Sequence, residues 1–128
     1  MRERPRAGAT ATSTFVVDAT HTIDFGPPAP AVLSTPSLIW HLEHAAIEAL
    51  KPFLGPDEIS LGTAIDLQHI APTPVGGTVT CTARVVRAEG TRVLFQLEAR
   101  DERTPIARGL HRRAIVPAET FAKRAAPH

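Results

Sequence analysis

One stretch of sequence decides the fold: Ser34 to Leu50, which reads STPSLIWHLEHAAIEAL. Its start is typical of a helix N-terminus, with a hydroxyl side chain available as the N-cap and Pro36 in the first turn. Apolar side chains then recur at helical spacing along one face: Leu38, Ile39, Leu42, Ala45, Ala46, Ala49 and Leu50. Lys51-Pro52 ends this pattern. The stretch therefore predicts one long helix with a buried face.

On both sides of this helix, runs rich in β-branched and aromatic residues predict strands. They are Thr12–Asp18, Thr20–Phe25, Ser60–Ala71, Thr78–Ala88, Thr91–Arg100 and Pro105–Val116. Glu89-Gly90 predicts a tight hairpin between two of them. One apolar helix beside a sheet of connected hairpins favours an α+β fold with the helix across one sheet face. In outline this is the hotdog architecture, an antiparallel β-sheet wrapped around one long central helix.

The length of 128 residues suits a single domain. We expect residues 1–11 to form a flexible N-terminal tail, residues 12–118 to form the domain, and residues 119–128 to form a loose C-terminal tail. The apolar fraction of 43% and charged fraction of 21% are those of an ordinary globular protein.

Charge and cysteine content exclude several classes of function. The net charge is +1 with both signs interspersed, so we expect no nucleic-acid partner. No apolar run is long enough to span a membrane, and residues 1–8 lead into no signal-peptide core, so we expect neither. The single cysteine, Cys81, cannot form an internal disulfide, and its position in a strand-like run favours a buried, inert thiol. These features predict a cytoplasmic protein.

Glu43 is the strongest candidate for a catalytic group. It lies at the edge of the apolar helix stripe, between Trp40 and Ile47, which form a second apolar strip. A helix that is apolar on two sides suggests contact with a partner subunit. A carboxylate held in such surroundings is typical of a catalytic base. The alternative is a solvated helix glutamate, as we expect for Glu48.

Thr35 and His69 each have a structural explanation beside a catalytic one. Thr35 suits the helix N-cap, although Ser34 suits it equally well and would release Thr35 for other work. His69 alternates with Ile65 and Leu67, so it shares their face and could be an ordinary core histidine. A hydroxyl, a carboxylate and an imidazole can nevertheless carry out acyl transfer if the fold brings them together.

No residues with the spacing of a metal site accompany these candidates, so we expect no metal and no cofactor. His41 and His44 lie three apart on the helix, but no third ligand completes a set. The remaining histidines, including His111, are isolated in the sequence. Phosphate-binding loops and nucleophile elbows are also missing.

The pattern of these residues resembles the fluoroacetyl-CoA thioesterase-like family of hotdog proteins. The resemblance rests on Thr35, on Glu43 eight residues later, on Ser60–Ile65 and on His69–Pro74. The ending Gly109–Val116 is similar to the last strand of that family. The resemblance covers nearly the whole chain, from about residue 15 to residue 121.

The resemblance implies hydrolysis of an acyl-CoA thioester, with CoA as part of the substrate rather than a cofactor. It also implies a homodimer, which could pair into a tetramer, with sites at the subunit interface. Thr35, Glu43 and His69 would be the catalytic set. Gly62 would lie against the thioester as an oxyanion donor, and Arg113 would hold either the site or the CoA phosphates. Taken alone, Arg113 is an ordinary charge at a strand end.

The loop before the helix departs from the fluoroacetyl-specific type. In that type the loop is longer and carries aromatic residues that cover the acyl pocket, whereas residues 26–34 here contain none. We therefore expect a different small acyl group, with Trp40 as a further substrate contact. Two alternatives stay open: a hotdog protein that binds acyl-CoA or a small ligand without hydrolysis, and an acyl-CoA hydratase or dehydratase.

Overall fold

The structure is a computed structural model that describes residues 4–127. The elements follow in the order β1 (Thr10–Val16), β2 (Thr22–Ile23), β3 (Val32–Leu33), α1 (Thr35–Leu50), β4 (Glu58–His69), β5 (Thr78–Glu89), β6 (Arg92–Arg100), β7 (Pro105–Pro117) and α2 (Ala118–Ala125).

Five of the strands form one antiparallel sheet in the order β1-β5-β6-β7-β4, and β2 pairs with β3 separately. The apolar face of α1 packs against the inner face of this sheet. The core there consists of alternate residues of the two central strands: Val79, Cys81, Ala83 and Val85 from β5, and Val93, Phe95, Leu97 and Ala99 from β6. The predicted α+β architecture, an antiparallel sheet around one long helix, is confirmed.

The start of α1 resolves the choice between the two candidate caps. Ser34 is the N-cap, and its side chain accepts a hydrogen bond from the Ser37 backbone N–H at 3.3 Å. Thr35 is the first helical residue, so its hydroxyl is available for another partner. The predicted stripe is buried as expected, except that Ile39 is half-buried.

β4 lies at an edge of the sheet and is partly uncovered. Its residues from Gly62 to Asp66 are all exposed, although they alternate between the two faces of the strand. A bulge at Thr63 shifts the register against β7, so that Gly62 lies opposite Arg113 and Ala64 opposite Arg112. The bulge leaves Gly62, Ile65 and His69 on the inner face.

Two predicted segments differ in the structure. The predicted strand Thr20–Phe25 is reduced to Thr22–Ile23, because Ala19–His21 forms a helical turn capped by Asp18. Much of the segment 119–128, expected to be a loose C-terminal tail, lies in the helix α2, none of whose side chains is buried. At the other end, β1 begins at Thr10, two residues before the predicted start, and the Gly8 N–H already bonds to the Val85 carbonyl.

Cys81 is completely buried, and burial raises the pKa of its thiol to about 12, which agrees with an inert core thiol. Among residues 4–127, neither helix combines the length and apolarity that a bilayer crossing requires.

Candidate active site

The end of β4 and the first turn of α1 bring Thr35 and His69 together. The Thr35 hydroxyl lies 2.9 Å from Nδ1 of His69, within hydrogen-bond distance. The Nε2 atom of His69 is buried and has no hydrogen-bond partner in residues 4–127. Buried polar atoms without a partner are rare in folded proteins, so this atom is a candidate for contact with a bound molecule. Burial lowers the pKa of the His69 imidazole, which favours its neutral form. A backbone hydrogen bond with Ala71 acts in the opposite direction and is the smaller effect.

A cavity of about 360 Å³ adjoins this pair and is lined by both of its members. The rest of its lining is mostly apolar, and includes Ile23, Phe25, Val32, Leu33, Ile70 and Ala71. Phe25 immediately precedes the loop that lacks aromatic residues, and its side chain lines the cavity while remaining 68% exposed. The cavity therefore suits an apolar group placed beside the imidazole.

A second group of polar residues is built around Arg113, which is only 4% exposed. Its guanidinium donates through Nη1 to Glu43 Oε2 at 3.1 Å. It also donates through Nε to the Ser60 hydroxyl at 3.1 Å and through Nη2 to the Ser60 carbonyl at 2.9 Å. Burial lowers the pKa of this guanidinium, and the carboxylate of Glu43 opposes that shift. Arg113 thus fixes the carboxylate from the protein side.

The backbone of Gly62 lies directly against that carboxylate. A Cβ atom added at Gly62 would fall 2.5 Å from Glu43 Oε2 and 3.2 Å from Arg113 Nη1. Real Cβ atoms essentially never make contacts that short, so the carboxylate occupies space that only a glycine leaves open. The side chain of Glu43 is 37% exposed, so its carboxylate remains accessible.

These two groups of residues do not meet within one chain. No contact joins Thr35 or His69 to Glu43, Gly62 or Arg113 in the part of the chain that the structure describes. The structure therefore pairs the predicted residues as Thr35 with His69, and Glu43 with Gly62 and Arg113.

Trp40, a predicted substrate contact, lies elsewhere. It is 56% exposed, stacks on His44 at a ring separation of 3.7 Å, and does not line the cavity beside His69. An exposed aromatic side chain next to Glu43 on α1 instead marks that helix face as a candidate contact surface.

The sequence analysis missed two members of the Arg113 group. His111, which the sequence suggested was isolated, is 2% exposed and lies with Nε2 3.1 Å from Arg113 Nη1 and 3.7 Å from Glu43 Oε2. Ser60 was noted only as part of a strand. A signal for His111 was available: it alternates with Arg113 and Ile115, so one face of β7 carries all three.

Comparisons with known proteins show which family the chain belongs to. The model of the FlK family, described as fluoroacetyl-CoA-specific thioesterase, matches residues 17–119. The chain belongs to the fluoroacetyl-CoA thioesterase family. The fluoroacetyl-CoA thioesterase of Streptantibioticus cattleyicolor is 37% identical to it over 94% of this chain and 92% of that protein.

Solved structures give the same family. A structure of the fluoroacetyl-CoA thioesterase FlK is 35% identical, covers 98% of this chain and all of its own, and has a TM-score of 0.86. The structure of a thioesterase superfamily member from Thermus thermophilus is 29% identical to this chain and has a TM-score of 0.86. The match covers 97% of this chain and 92% of the Thermus protein. The predicted family, the hotdog fold and the enzyme class, a thioester hydrolase, are confirmed.

Proposed function

We propose that this family member hydrolyses acyl-CoA thioesters as a homodimer whose sites combine residues of both subunits. The observation that carries the proposal is the Glu43 carboxylate, held by buried Arg113 against the backbone of Gly62 while still accessible. A carboxylate fixed beside a strand-edge glycine can act on a carbonyl that the glycine's backbone binds.

A second subunit is needed because the two groups of residues lie too far apart in one chain. Thr35 and Glu43 are eight residues apart on α1, about 12 Å along the helix axis. His69 and Gly62 are seven residues apart on β4, at most about 23 Å in an extended strand. Hydrogen bonds reach only about 3 Å, so one thioester carbonyl cannot contact both groups of the same chain.

Antiparallel pairing of the β4 edges of two copies would bring the groups together. Because the bulge at Thr63 adds one residue without advancing the strand, the midpoint of Gly62 and His69 lies at Asp66. A twofold axis at that point would place His69 of one copy beside Gly62 of the other. This edge is suited to pairing, because no strand within residues 4–127 lies beyond β4, which is exposed on both faces from Gly62 to Asp66. The exposed Trp40 on α1 would lie near the same interface.

In the resulting site each residue has a defined role. The Gly62 backbone N–H would bind the thioester oxygen as negative charge develops on it. Glu43, oriented by Arg113, would attack the carbonyl or activate a water molecule. His69, neutral at rest, would accept at Nε2 the proton that water gives up and pass it to the departing thiolate, and Thr35 would orient the imidazole through the hydrogen bond to Nδ1.

Two routes use the same groups. On the nucleophilic route, a Glu43 oxygen bonds to the carbonyl carbon and the C–S bond breaks, which gives an anhydride that water then hydrolyses. On the general-base route, Glu43 removes a proton from water, and the resulting hydroxide displaces the thiolate directly. Arg113 is buried and makes four hydrogen bonds to protein partners, which favours a role in holding the site over contact with CoA phosphates.

We propose further that the acyl group is not fluoroacetyl. Residues 26–34 contain no aromatic side chain to cover the acyl pocket, and the cavity beside His69 is lined mostly by aliphatic groups and proline. A cavity of about 360 Å³ leaves space for a small acyl group that is larger than acetyl.

The experiment that tests this function measures free-thiol release from acetyl-, fluoroacetyl-, branched and aryl acyl-CoA esters. Light scattering establishes the mass of the same samples. We expect a dimer that hydrolyses branched or aryl esters fastest and loses at least about 100-fold in kcat in Glu43→Gln. Glu48→Gln, on the solvated face of α1, is the matched control. Binding of esters without thiol release, unchanged in Glu43→Gln, would contradict the proposal.

A further inference from the structure

His111 is buried on the inner face of β7 and makes two directed polar contacts. Its Nδ1 lies 2.8 Å from the carbonyl oxygen of Ala64, and its Nε2 lies 3.1 Å from Arg113 Nη1. A carbonyl oxygen can only accept, so Nδ1 carries the proton. Nε2 is then the acceptor for the guanidinium, and the imidazole is neutral with its proton on Nδ1.

Contacts of His111 and of its partner Arg113 hold β4 on both sides of the bulge, next to the Glu43 carboxylate. Ala64 follows the bulge at Thr63, and His111 holds its carbonyl. Ser60 precedes the bulge, and Arg113 holds its carbonyl at 2.9 Å. Gly62 lies between these two fixed points, and a Cβ on it would also be 3.2 Å from His111 Cε1. The imidazole therefore fills the space behind the strand where Gly62 meets Glu43.

We propose that His111 is a positioning residue for hydrolysis: it orients Arg113, and through Arg113 the Glu43 carboxylate, while holding the Gly62 segment of β4 in place. This inference rests on the proposed function of Glu43 and Gly62. Nothing in the contacts requires His111 itself to touch the substrate.

The surroundings of His111 support the neutral form. The charged groups that face it are Arg113 on its own strand and Glu43 on α1, while Phe95 on β6 presents a ring at 6.2 Å. Burial is the largest cause of the lowered pKa of His111 and Arg113 lowers it further, while the hydrogen bond to Ala64 and the Glu43 carboxylate partly oppose this shift. Protonation would place an Nε2–H against the N–H groups of Arg113 and remove the acceptor that orients the guanidinium.

Three substitutions separate positioning from packing. His111→Leu removes both polar contacts, and we expect kcat to fall about 10- to 100-fold with KM changed less than about twofold. In His111→Gln the longer side chain can place its amide oxygen where Nε2 accepts from Arg113. In His111→Asn the shorter side chain reaches only the Nδ1 position, where its amide N–H can donate to Ala64. We therefore expect Gln to retain more kcat than Asn. Phe95→Leu, a buried change beside His111 that removes no polar contact, is the control: it should lower thermal stability but not kcat.

A double substitution tests whether His111 acts through Glu43. In a Glu43→Gln background, His111→Leu should cause a clearly smaller loss than in the wild type, because the carboxylate is already gone and only the hold on the Gly62 segment remains to be lost. An equal loss in both backgrounds, or full kcat in His111→Leu alone, would overturn the proposal.

Nitrogen-15 NMR of the histidine side chains gives a readout that does not depend on activity. At pH 7.5 we expect His111 to show a protonated Nδ1 and an unprotonated Nε2. A proton on Nε2 would overturn the proposal whatever the kinetics show. If no acyl-CoA is hydrolysed by the wild-type dimer, the proposed function fails, and the NMR spectrum still decides whether His111 has the predicted tautomer.

Discussion

Replacing Gly62 with alanine should nearly abolish hydrolysis without weakening the fold. The added Cβ would lie 2.5 Å from Glu43 Oε2, whereas ordinary van der Waals contact begins at 3.4 Å. The carboxylate must therefore move by about 0.9 Å, away from both the Gly62 backbone and Arg113. The end of a glutamate side chain can make this movement easily, whereas Arg113 Nη1 and His111 Cε1, each 3.2 Å from the added Cβ, need to give way by only a few tenths of an ångström.

The size of the effect follows from that displacement. Misplacement of a catalytic group by about 1 Å costs about 100-fold in rate, equivalent to about 2.7 kcal/mol in the activation free energy. Gly62 is exposed and its φ angle is not positive, so alanine introduces no backbone strain. A Gly-to-Ala change at an unstrained position stabilises a protein by about 0.4–1 kcal/mol through the unfolded state. We expect the melting temperature to be unchanged or slightly raised.

Thiol-release kinetics and thermal melting of Gly62→Ala measure both quantities. The matched control is Gly55→Ala, whose Cβ would approach the carboxylate of Glu58 at 3.3 Å, outside the site. This control should keep wild-type kcat/KM. Wild-type kcat/KM in Gly62→Ala would refute the reasoning that hydrolysis depends on Glu43 held against this glycine.

Three further predictions concern the remaining parts of the site. Measured by thiol release, His69→Ala should lower kcat about 100-fold or more and Thr35→Ala about 10-fold. If both variants hydrolysed thioesters at the wild-type rate, this pair would have no part in catalysis. Ile65→Lys, at an exposed position on the β4 edge, should give a folded monomer by light scattering with at least about 100-fold lower kcat/KM, and an active monomer would contradict the interface site. Burial lowers the pKa of His41, His69 and His111 below the unfolded value of about 6.5, so the unfolded chain binds protons first as pH falls. The free energy of unfolding in urea should therefore decrease from pH 7.5 to pH 5.5, and His111→Gln should reduce that decrease.

Much of the fold could be predicted from local patterns. Ser34-Thr35-Pro36 identified the helix start, and the alternation of Ile65, Leu67 and His69 correctly placed those residues on one face of β4. These features depend on near neighbours in the chain, which the sequence displays directly. The pairing of β2 with β3 could not be predicted, because two-residue strands show no periodicity and depend on distant contacts.

The site was only partly predictable for the same reason. Thr35, Glu43 and His69 were recognised as reactive side chains, but their separation into two groups depends on where α1 crosses β4. The role of Arg113 depends on its burial against Ser60 and Glu43, which a charged residue near a strand end does not reveal. His111 shares a strand face with Arg113, but its approach to the Glu43 carboxylate depends on where α1 crosses the sheet.

The central claim is that each site combines Thr35 and His69 of one subunit with Glu43 and Gly62 of the other, and mixed dimers test it most directly. His69→Ala and Glu43→Gln chains, each expected to lose about 100-fold or more alone, are unfolded together and refolded as a mixture, and thiol release is measured. In a composite-site dimer, each mixed dimer contains one intact site, so the mixture should recover about a quarter of wild-type activity. No recovery in a mixture shown by mass spectrometry to contain mixed dimers would contradict the account.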